Sequence, residues 1–513
     1  MSVSEGLYSR VRTRVGKVPI TTKIFQAVGA LPEALKNFAF STFLLLYYNQ
    51  ILGLDAFKAS VAIAMALIID AAMDPLIGSF SDSLKARLGR RHMLMYLSAV
   101  PIGLGLYLVF SPPAGLSELP LLAWLFCTVV LTHVSMSLFV VPWTALYAEF
   151  SEDYAERTTI VTWRYAIGLM GMLVFTVCTY HFIFPSNAAF KVGQLNPHAY
   201  GHFAPVVALS ATVAVLITTH LTLREVPFLL QPVSTTPRFS FARVWRDVSS
   251  TFVNRDFLVL FLGALTTAAI TGTLDWMGIY MSTYFWGMAS EQLVWFSLTA
   301  FGAVAAFLTL ALVERIFDKK PLLLATFALL VIDGIGVTSL RLLHLMPPNG
   351  SNTLLVVLIC NDTVRAYLGT VLGIMFASML ADTLDVQELA TGKRQEGVFA
   401  AALSFSGKAT AGVGGMIAGF LLQHVIRWPA HANPATIDPH VVTRLGLAAG
   451  VLVPLLLIVP LLLGSQYRIT RAKHMITRQE LDRRRGTASP AEDDGMALEI
   501  EMGLLKPGGP THP

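Results

Sequence analysis

The sequence predicts an all-α membrane protein with twelve transmembrane helices arranged as two six-helix halves. First, 54% of the 513 residues are hydrophobic and only 13% are charged, whereas about 25% are charged in an ordinary soluble domain. Second, the apolar residues form long runs, and roughly 20 such residues cross the hydrocarbon core of a bilayer. Third, a polar segment divides the runs into two groups of six.

The apolar runs give the bounds of the predicted spans. Spans one to six lie at 22–51, 57–84, 92–112, 120–149, 159–185 and 203–224. Spans seven to twelve lie at 256–286, 291–316, 321–345, 353–382, 396–425 and 442–465. The predicted domains are therefore an N-terminal half at 1–224, a linker at 225–255, a C-terminal half at 256–465 and a tail at 466–513.

Lys and Arg are concentrated in alternate loops. The loop after span two carries Lys85, Arg87, Arg90 and Arg91, whereas the loop after span three, SPPAGLSELP, has none. Because cytoplasmic loops carry the excess of Lys and Arg, both termini and the linker are predicted to be cytoplasmic. We expect a multi-pass protein of the plasma (inner) membrane. Since the location of these loops accounts for the positive charge of the chain, we expect no nucleic-acid partner.

The linker and the tail are the polar parts of the chain. Phe241, Val244, Trp245 and Val248 recur at helical spacing, which predicts a short helix on the inner membrane surface. The tail after residue 466 could begin as a helix, and its charged end is expected to be disordered.

The two halves resemble each other where spans two and eight end. SDSLKARLGRRHML and ERIFDKKPLLL each place an acidic residue near the membrane face before a basic cluster and a new apolar run. Six-plus-six halves with this similarity suggest the major facilitator architecture, in which the halves are related by an axis along the membrane normal. The substrate site would then lie near the midplane, between the halves.

Ionisable residues inside the apolar runs are the first candidates for function, because each costs roughly 2.5–3.5 kcal/mol at the bilayer centre. Asp70 and Asp74 lie four residues apart and share a helix face. A bound cation or a shared proton would relieve their repulsion and burial, and a structural ion-pair network is the alternative. Lys408, near the middle of span eleven, is a partner for them across the interface between the halves. Its alternative is snorkelling to a membrane surface.

Other charged residues in the spans have more open roles. Arg164 is a counter-ion for the aspartate pair or a substrate ligand, with snorkelling as the alternative. Glu33 with Lys36, and Asp362 with Arg365, are spaced i,i+3, so a local ion pair explains each and substrate contact is the alternative.

Asp275 and Asp333 have no obvious local partner, and their roles stay open. The sequence contains no G-x-S-x-G, no H-E-x-x-H, no Walker lysine loop and no metal-spaced Cys/His cluster. We therefore expect no enzyme activity, no cofactor and no structural metal. The driving force is expected to be an ion gradient instead of ATP, with H⁺ or Na⁺ as the coupling ion.

Four segments carry a family resemblance. They are GALPEALKNFAFSTFLLLYYNQILGL, DAAMDPLIGSFSDSLKARLGRRH, VPWTAL with ERTTIVTWRYAIG, and ADTLDVQELATGKRQEGVFAAALSFSGKA. Together they resemble the glycoside–pentoside–hexuronide:cation symporters, the melibiose-carrier family of the major facilitator superfamily, over nearly the whole chain before the tail. The resemblance implies a symporter that couples a cation to a sugar, glycoside or related small solute. We expect such a protein to work as a monomer in the bilayer.

The resemblance also implies roles for particular residues. Asp70 and Asp74 match the cation-binding carboxylates, and Ser137 matches a hydroxyl on the fourth helix that helps to hold the cation. Lys408 matches a lysine that links the cation and substrate sites, and Arg164 matches an arginine near the sugar. Four acidic positions match part of the cytoplasmic gate: Asp382, Asp385, Glu388 and Glu396.

The chain also departs from the family pattern. Ala34 and Val140 stand where the family has sugar-gripping aspartates, and Thr144, beside Trp143, stands where it has a tryptophan that stacks on the sugar. Because an unmatched hydroxyl is costly to desolvate, a lysophospholipid-like amphiphile is an alternative substrate. Met73 replaces an asparagine between the two aspartates, which removes an oxygen ligand and favours H⁺. A non-transporting sensor or assembly factor is a second alternative, against which the costly intramembrane charges argue.

Overall fold

A computed structural model describes residues 8–9, 16–84, 88–151, 153–188, 190–229, 231–232, 254–391, 407 and 412–484 of the chain. Within these residues, ten helices are long and apolar enough to cross a membrane. They correspond to predicted spans two to ten and twelve. The described residues are all-α apart from one two-residue antiparallel pair, Tyr8–Ser9 with Gln231–Pro232.

The spans of the N-terminal half follow each other with short connections. Spans two to six comprise Ala56–Ser83, Arg90–Val109, Glu118–Phe150, Tyr154–Cys178 with the π-helical turn Thr179–Ile183, and Pro197–Thr222. The 3₁₀ segments Gly193–Leu195 and Leu223–Phe228 precede and follow span six.

The C-terminal half repeats this arrangement. Spans seven to ten comprise Arg255–Tyr280 with the π turn Met281–Phe285, Ser290–Leu293 with Val294–Thr299 and Ala300–Ile316, then Lys319–Leu342 and Asn352–Thr391. Span eleven is described as Gly412–Ile426. Span twelve comprises Pro439–Leu447, Ala448–Leu452, Val453–Leu455 and Ile458–Ser465, and a tail helix follows at Arg471–Arg484.

Span one is broken into short pieces: Ile20–Val28, Leu31–Ala39, Phe40–Leu44 and Tyr47–Ile51, of which the last two are π-helical. The first break lies against Trp143, because a Cβ on Gly29 would be 2.1 Å from the indole nitrogen. That nitrogen donates a hydrogen bond of 2.8 Å to the carbonyl of Gln26. Glycine is therefore required where span four packs on span one.

Acidic and amide side chains begin many of the helices. Asp55, Asp153, Asn196, Asn254 and Asp438 each accept a hydrogen bond from a backbone N–H of the first helical turn. Such caps satisfy donors that have no partner within the helix. They fix where the spans start at the two faces of the bundle.

The similarity between the two halves has a structural counterpart where spans two and three, and spans eight and nine, connect. Arg90 and Arg91 at the start of span three lie 2.7 Å and 2.9 Å from Glu149 at the end of span four. Lys319 at the start of span nine lies 2.6 Å from Asp382 near the end of span ten. We call this face of the bundle the termini end, because the linker and the tail leave the bundle there, and the opposite face the far end.

Some sequence predictions concern the polar segments. The tail begins as a helix, as predicted, and Thr477 and Leu481 on that helix are buried. The predicted linker helix and the charged end of the tail lie outside the described residues.

Candidate substrate and cation site

A cavity of about 400 Å³ lies between the two halves, and we call it the central cavity. Span one contributes Glu33 and Lys36, span two contributes Asp70, and span four contributes His133. Span seven contributes Asp275 from the other half. The central cavity therefore brings together ionisable side chains from both halves, where the major facilitator architecture places a substrate.

Asp70 and Asp74 both contact Ser137. The serine hydroxyl lies 2.6 Å from Asp70 Oδ1 and 2.6 Å from Asp74 Oδ1. Both distances are those of a hydrogen bond to a carboxylate, about 2.5–2.7 Å. A hydroxyl has one hydrogen and can donate to only one carboxylate at a time. The second contact is favourable if one carboxyl carries a proton or if a cation lies between the oxygens, so this arrangement can hold a cation or a proton.

His133 also lies beside the aspartates, which the motifs in the sequence did not predict. Its Nδ1 lies 3.4 Å from Asp70 Oδ2, and both side chains are buried. Its ring packs edge-on against Phe40, with 5.5 Å between ring centroids. His133 lies four residues before Ser137, and residues at this spacing share a helix face. That spacing is the signal that could have placed it beside the aspartates.

Arg164 stacks on aromatic rings of span four. Its guanidinium carbon lies 3.8 Å from the ring centroid of Trp143 and 5.6 Å from that of Tyr147. Phe139 is stacked near the same indole, with 5.9 Å between centroids. The hydroxyl of Thr144 donates to carbonyls of its own helix. The substrate contacts predicted for Trp143, Thr144 and Arg164 stay predictions.

Asp362 and Arg365 form the predicted local ion pair, at 3.2 Å. Arg365 also lies 3.3 Å from Asp333 of span nine, and Asn361 donates a hydrogen bond to the same carboxylate. Asp333, whose role stayed open in the sequence, thus has partners on span ten. Asp362 and Arg365 line a different cavity of about 430 Å³, whose lining residues all belong to the C-terminal half.

Three of the four acidic residues predicted as a gate, Asp382, Asp385 and Glu388, lie at the termini end. Besides Lys319, the tail helix contacts them: His474 Nε2 is 3.0 Å from Asp385 and 3.4 Å from Asp382, and Arg478 is 3.6 Å from Asp385. These contacts lie within the C-terminal half and between that half and the tail helix. Glu388 lies further along span ten, and the remaining predicted residues, Glu396 and Lys408, lie outside the described residues.

Hydrogen bonds join the two halves at the far end. Gln50 of span one accepts from the backbone N–H of Ala432 at 2.8 Å and from the hydroxyl of Tyr284 at 3.2 Å, and it donates to the carbonyl of Pro429 at 3.2 Å. A second group of hydrogen bonds joins loop residues of the two halves. It connects Ser186, Gly193 and Gln194 of the N-terminal half to Thr283, Ser290 and Glu291 of the C-terminal half. In the described part of the chain, every hydrogen bond between the halves lies at this end, so the central cavity is closed there.

Two six-helix halves around a cavity with intramembrane charges define a secondary transporter of the major facilitator type. The chain belongs to the MFS/sugar transport protein family, whose model matches residues 25–471. It is 27% identical over 414 residues to the uncharacterized symporter YnaJ of Bacillus subtilis, covering 80% of this chain and 84% of the relative. It is 26% identical over 390 residues to the isoprimeverose transporter of Lactiplantibacillus pentosus, covering 75% and 76%.

A solved structure shows the same fold. The nucleoside transporter NupG superposes with a TM-score of 0.60 at 12% identity, covering 88% of this chain and 99% of that one. The predicted family resemblance and the predicted fold class are therefore confirmed. The protein is an integral, multi-pass membrane transporter, for which a small-molecule substrate and membrane lipid are the expected partners.

Proposed function

We propose that the protein is a cation-coupled symporter that moves a sugar, glycoside or related small solute by alternating access. The observation that carries this proposal is the bridge that Ser137 makes between Asp70 and Asp74, with Asp70 in the wall of the central cavity. Two carboxylates that share one hydroxyl can bind a proton or a cation between them, and the cavity leaves room for a solute beside them.

The substrate class is supported by the family and by the cavity. One relative is named an isoprimeverose transporter, and the family description is sugar transport. The central cavity carries carboxylates and an ammonium group, from Glu33, Asp275 and Lys36. These groups accept and donate the hydrogen bonds that sugar hydroxyls require when they leave water.

Coupling follows from differential binding to two conformations. In the conformation described here the halves are joined at the far end. If the cation and the substrate each favour the same transition by a few kcal/mol of differential binding, the movement of one drives the movement of the other across the membrane. Binding at Asp70 and Asp74 changes the net charge at the interface between the halves, which alters their attraction to basic groups such as Lys408 and Arg164.

We also propose that the termini end faces the cytoplasm and that the protein works as a monomer in the plasma membrane. The Lys- and Arg-rich loops support this orientation. The far-end hydrogen bonds then close the extracellular side, and this conformation is inward-facing.

The test is uptake into proteoliposomes with imposed H⁺ or Na⁺ gradients and a panel of pentosides, hexosides and lysophospholipids. We expect one gradient to drive accumulation of a sugar or glycoside. Asp74→Asn should abolish accumulation, because the pair can no longer exchange a cation. Asp55→Asn is the matched control, because it is the same substitution on the same span and asparagine still caps the helix.

Wild-type accumulation by Asp74→Asn would contradict the cation site. Failure of both gradients to move any solute by folded wild-type protein would contradict the symporter proposal. Gradient-driven movement of lysophospholipids alone would instead support the amphiphile alternative.

A further inference from the structure

Asp275 is the carboxylate that the C-terminal half places in the wall of the central cavity. It lies on span seven between Gly272 and Trp276, which line the same cavity. Its side chain is exposed to the cavity, while Trp276 beside it is only 8% exposed. The carboxylate is therefore fixed on a packed helix face and remains accessible from the space between the halves.

Within the described part of the chain, Asp275 forms no hydrogen bond and no ion pair. Arg365 is the basic group whose charge acts on it. The guanidinium of Arg365, however, is held by Asp333 at 3.3 Å and by Asp362 at 3.2 Å. A carboxylate inside a membrane protein is costly and usually has a partner, so the position of Asp275 suggests that the partner is a ligand in the cavity.

The opposite wall supplies groups of complementary chemistry. Glu33, Lys36 and Asp70 line the same cavity from the N-terminal half. A solute between the walls can contact span one and span seven together, and a carboxylate can accept hydrogen bonds from two neighbouring hydroxyls through its two oxygens. Lysine and glutamate on the facing wall can donate to and accept from the remaining hydroxyls.

We propose that Asp275 binds a pair of substrate hydroxyls and is the specificity-determining residue that the C-terminal half contributes. This inference rests on the proposed function, which supplies the polyhydroxylated class of substrate. A solute that contacts Asp275 and the facing wall bridges the two halves. This contact therefore links substrate binding to the relative movement of the halves.

The test compares Asp275→Asn with wild type in proteoliposomes, using the transported sugar and a series of its monodeoxy analogues. Hydrogen bonds to a charged group contribute about 1.5–3 kcal/mol, so KM for the parent sugar should rise about 10- to 100-fold. For an analogue that lacks one of the two contacted hydroxyls, the KM values of wild type and variant should differ clearly less than they do for the parent sugar. A residue with only a structural role would raise KM for all analogues alike.

Asp256→Asn is the matched control. It is the same substitution on the same span, but its carboxylate lies at the termini end and accepts a hydrogen bond from the backbone of Arg468 at 2.9 Å. KM should be unchanged in this variant. A second variant, Asp275→Cys in a background without the native cysteines, gives a readout independent of transport, because saturating sugar should slow its modification by a water-soluble thiol reagent several-fold.

Three outcomes would overturn the inference. They are an unchanged KM across the analogue series, a change only in the ion concentration for half-maximal uptake, and thiol modification of Asp275→Cys that sugar does not slow. Each of these outcomes can be interpreted only if the wild-type protein accumulates sugar. If it accumulates none under either gradient, the proposed function fails first.

Discussion

Gln50 offers a test of how the far end is held closed. Its side chain makes three hydrogen bonds to the other half, through Ala432, Tyr284 and Pro429. Each bond contributes about 0.5–1.5 kcal/mol net, so Gln50→Ala should weaken the closed far end by about 3 kcal/mol. Since 1.4 kcal/mol corresponds to a factor of ten, the equilibrium should move about 100-fold toward opening at the far end.

The assay measures the distance between spin labels at Ala114→Cys and Ala435→Cys by electron–electron resonance. Both positions are exposed, lie at the far end, and belong to different halves, and the native cysteines are replaced. Gln50→Ala should populate a longer distance that the parent protein lacks. Gln423→Ala is the control, because this glutamine of span eleven also lies at the far end and makes no hydrogen bond in the described part of the chain.

Two results would refute the reasoning. An unchanged distance distribution in Gln50→Ala would mean that these hydrogen bonds do not limit opening. An equal lengthening in Gln423→Ala would mean that any loss of polar surface at this end has the same effect.

Three further substitutions test other contacts. Ser137→Ala should raise the ion concentration for half-maximal uptake about 10- to 100-fold, because the shared hydroxyl is lost; an unchanged concentration would contradict the cation site. Glu149→Gln should lower the temperature of thermal unfolding, because Arg90 and Arg91 lose a largely buried carboxylate. Arg91 keeps its ion pair with Asp82 at 2.9 Å, so the cost should not exceed about 3 kcal/mol; an unchanged unfolding temperature would contradict this expectation. Trp143→Leu should also lower the unfolding temperature, because it leaves a cavity where a buried indole packs and removes a cation–π contact of about 0.5–2 kcal/mol and one hydrogen bond; no change in the unfolding temperature would count against it.

Hydropathy and loop charge predicted the order and approximate bounds of the spans, because crossing a bilayer requires a continuous apolar segment. They did not predict the break in span one. Pro32 at the start of the second piece has no N–H to continue the preceding helix, whereas the packing of the Trp143 indole against Gly29 joins two spans more than a hundred residues apart. A one-dimensional pattern contains no information about such a contact.

Local spacing likewise found some site residues and missed others. Asp70 with Asp74, and Asp362 with Arg365, were found because their partners lie within one helical turn. The partner of Asp333 is on another helix, and Gln50 contacts Ala432, which is 382 positions away. An uncharged glutamine in an apolar span does not stand out in a sequence, although it joins the halves in the structure.

The distribution of contacts explains why two rigid halves can move against each other. At the termini end, the pairs of Arg91 with Glu149 and of Lys319 with Asp382 lie within single halves. Partly buried pairs of this kind are costly to break, so each half keeps its shape. Between the halves, the described hydrogen bonds other than those of Glu291 join uncharged groups, and each contributes only about 1 kcal/mol. A cation and a solute that supply a few kcal/mol of differential binding can therefore shift the balance between the two conformations without disturbing either half.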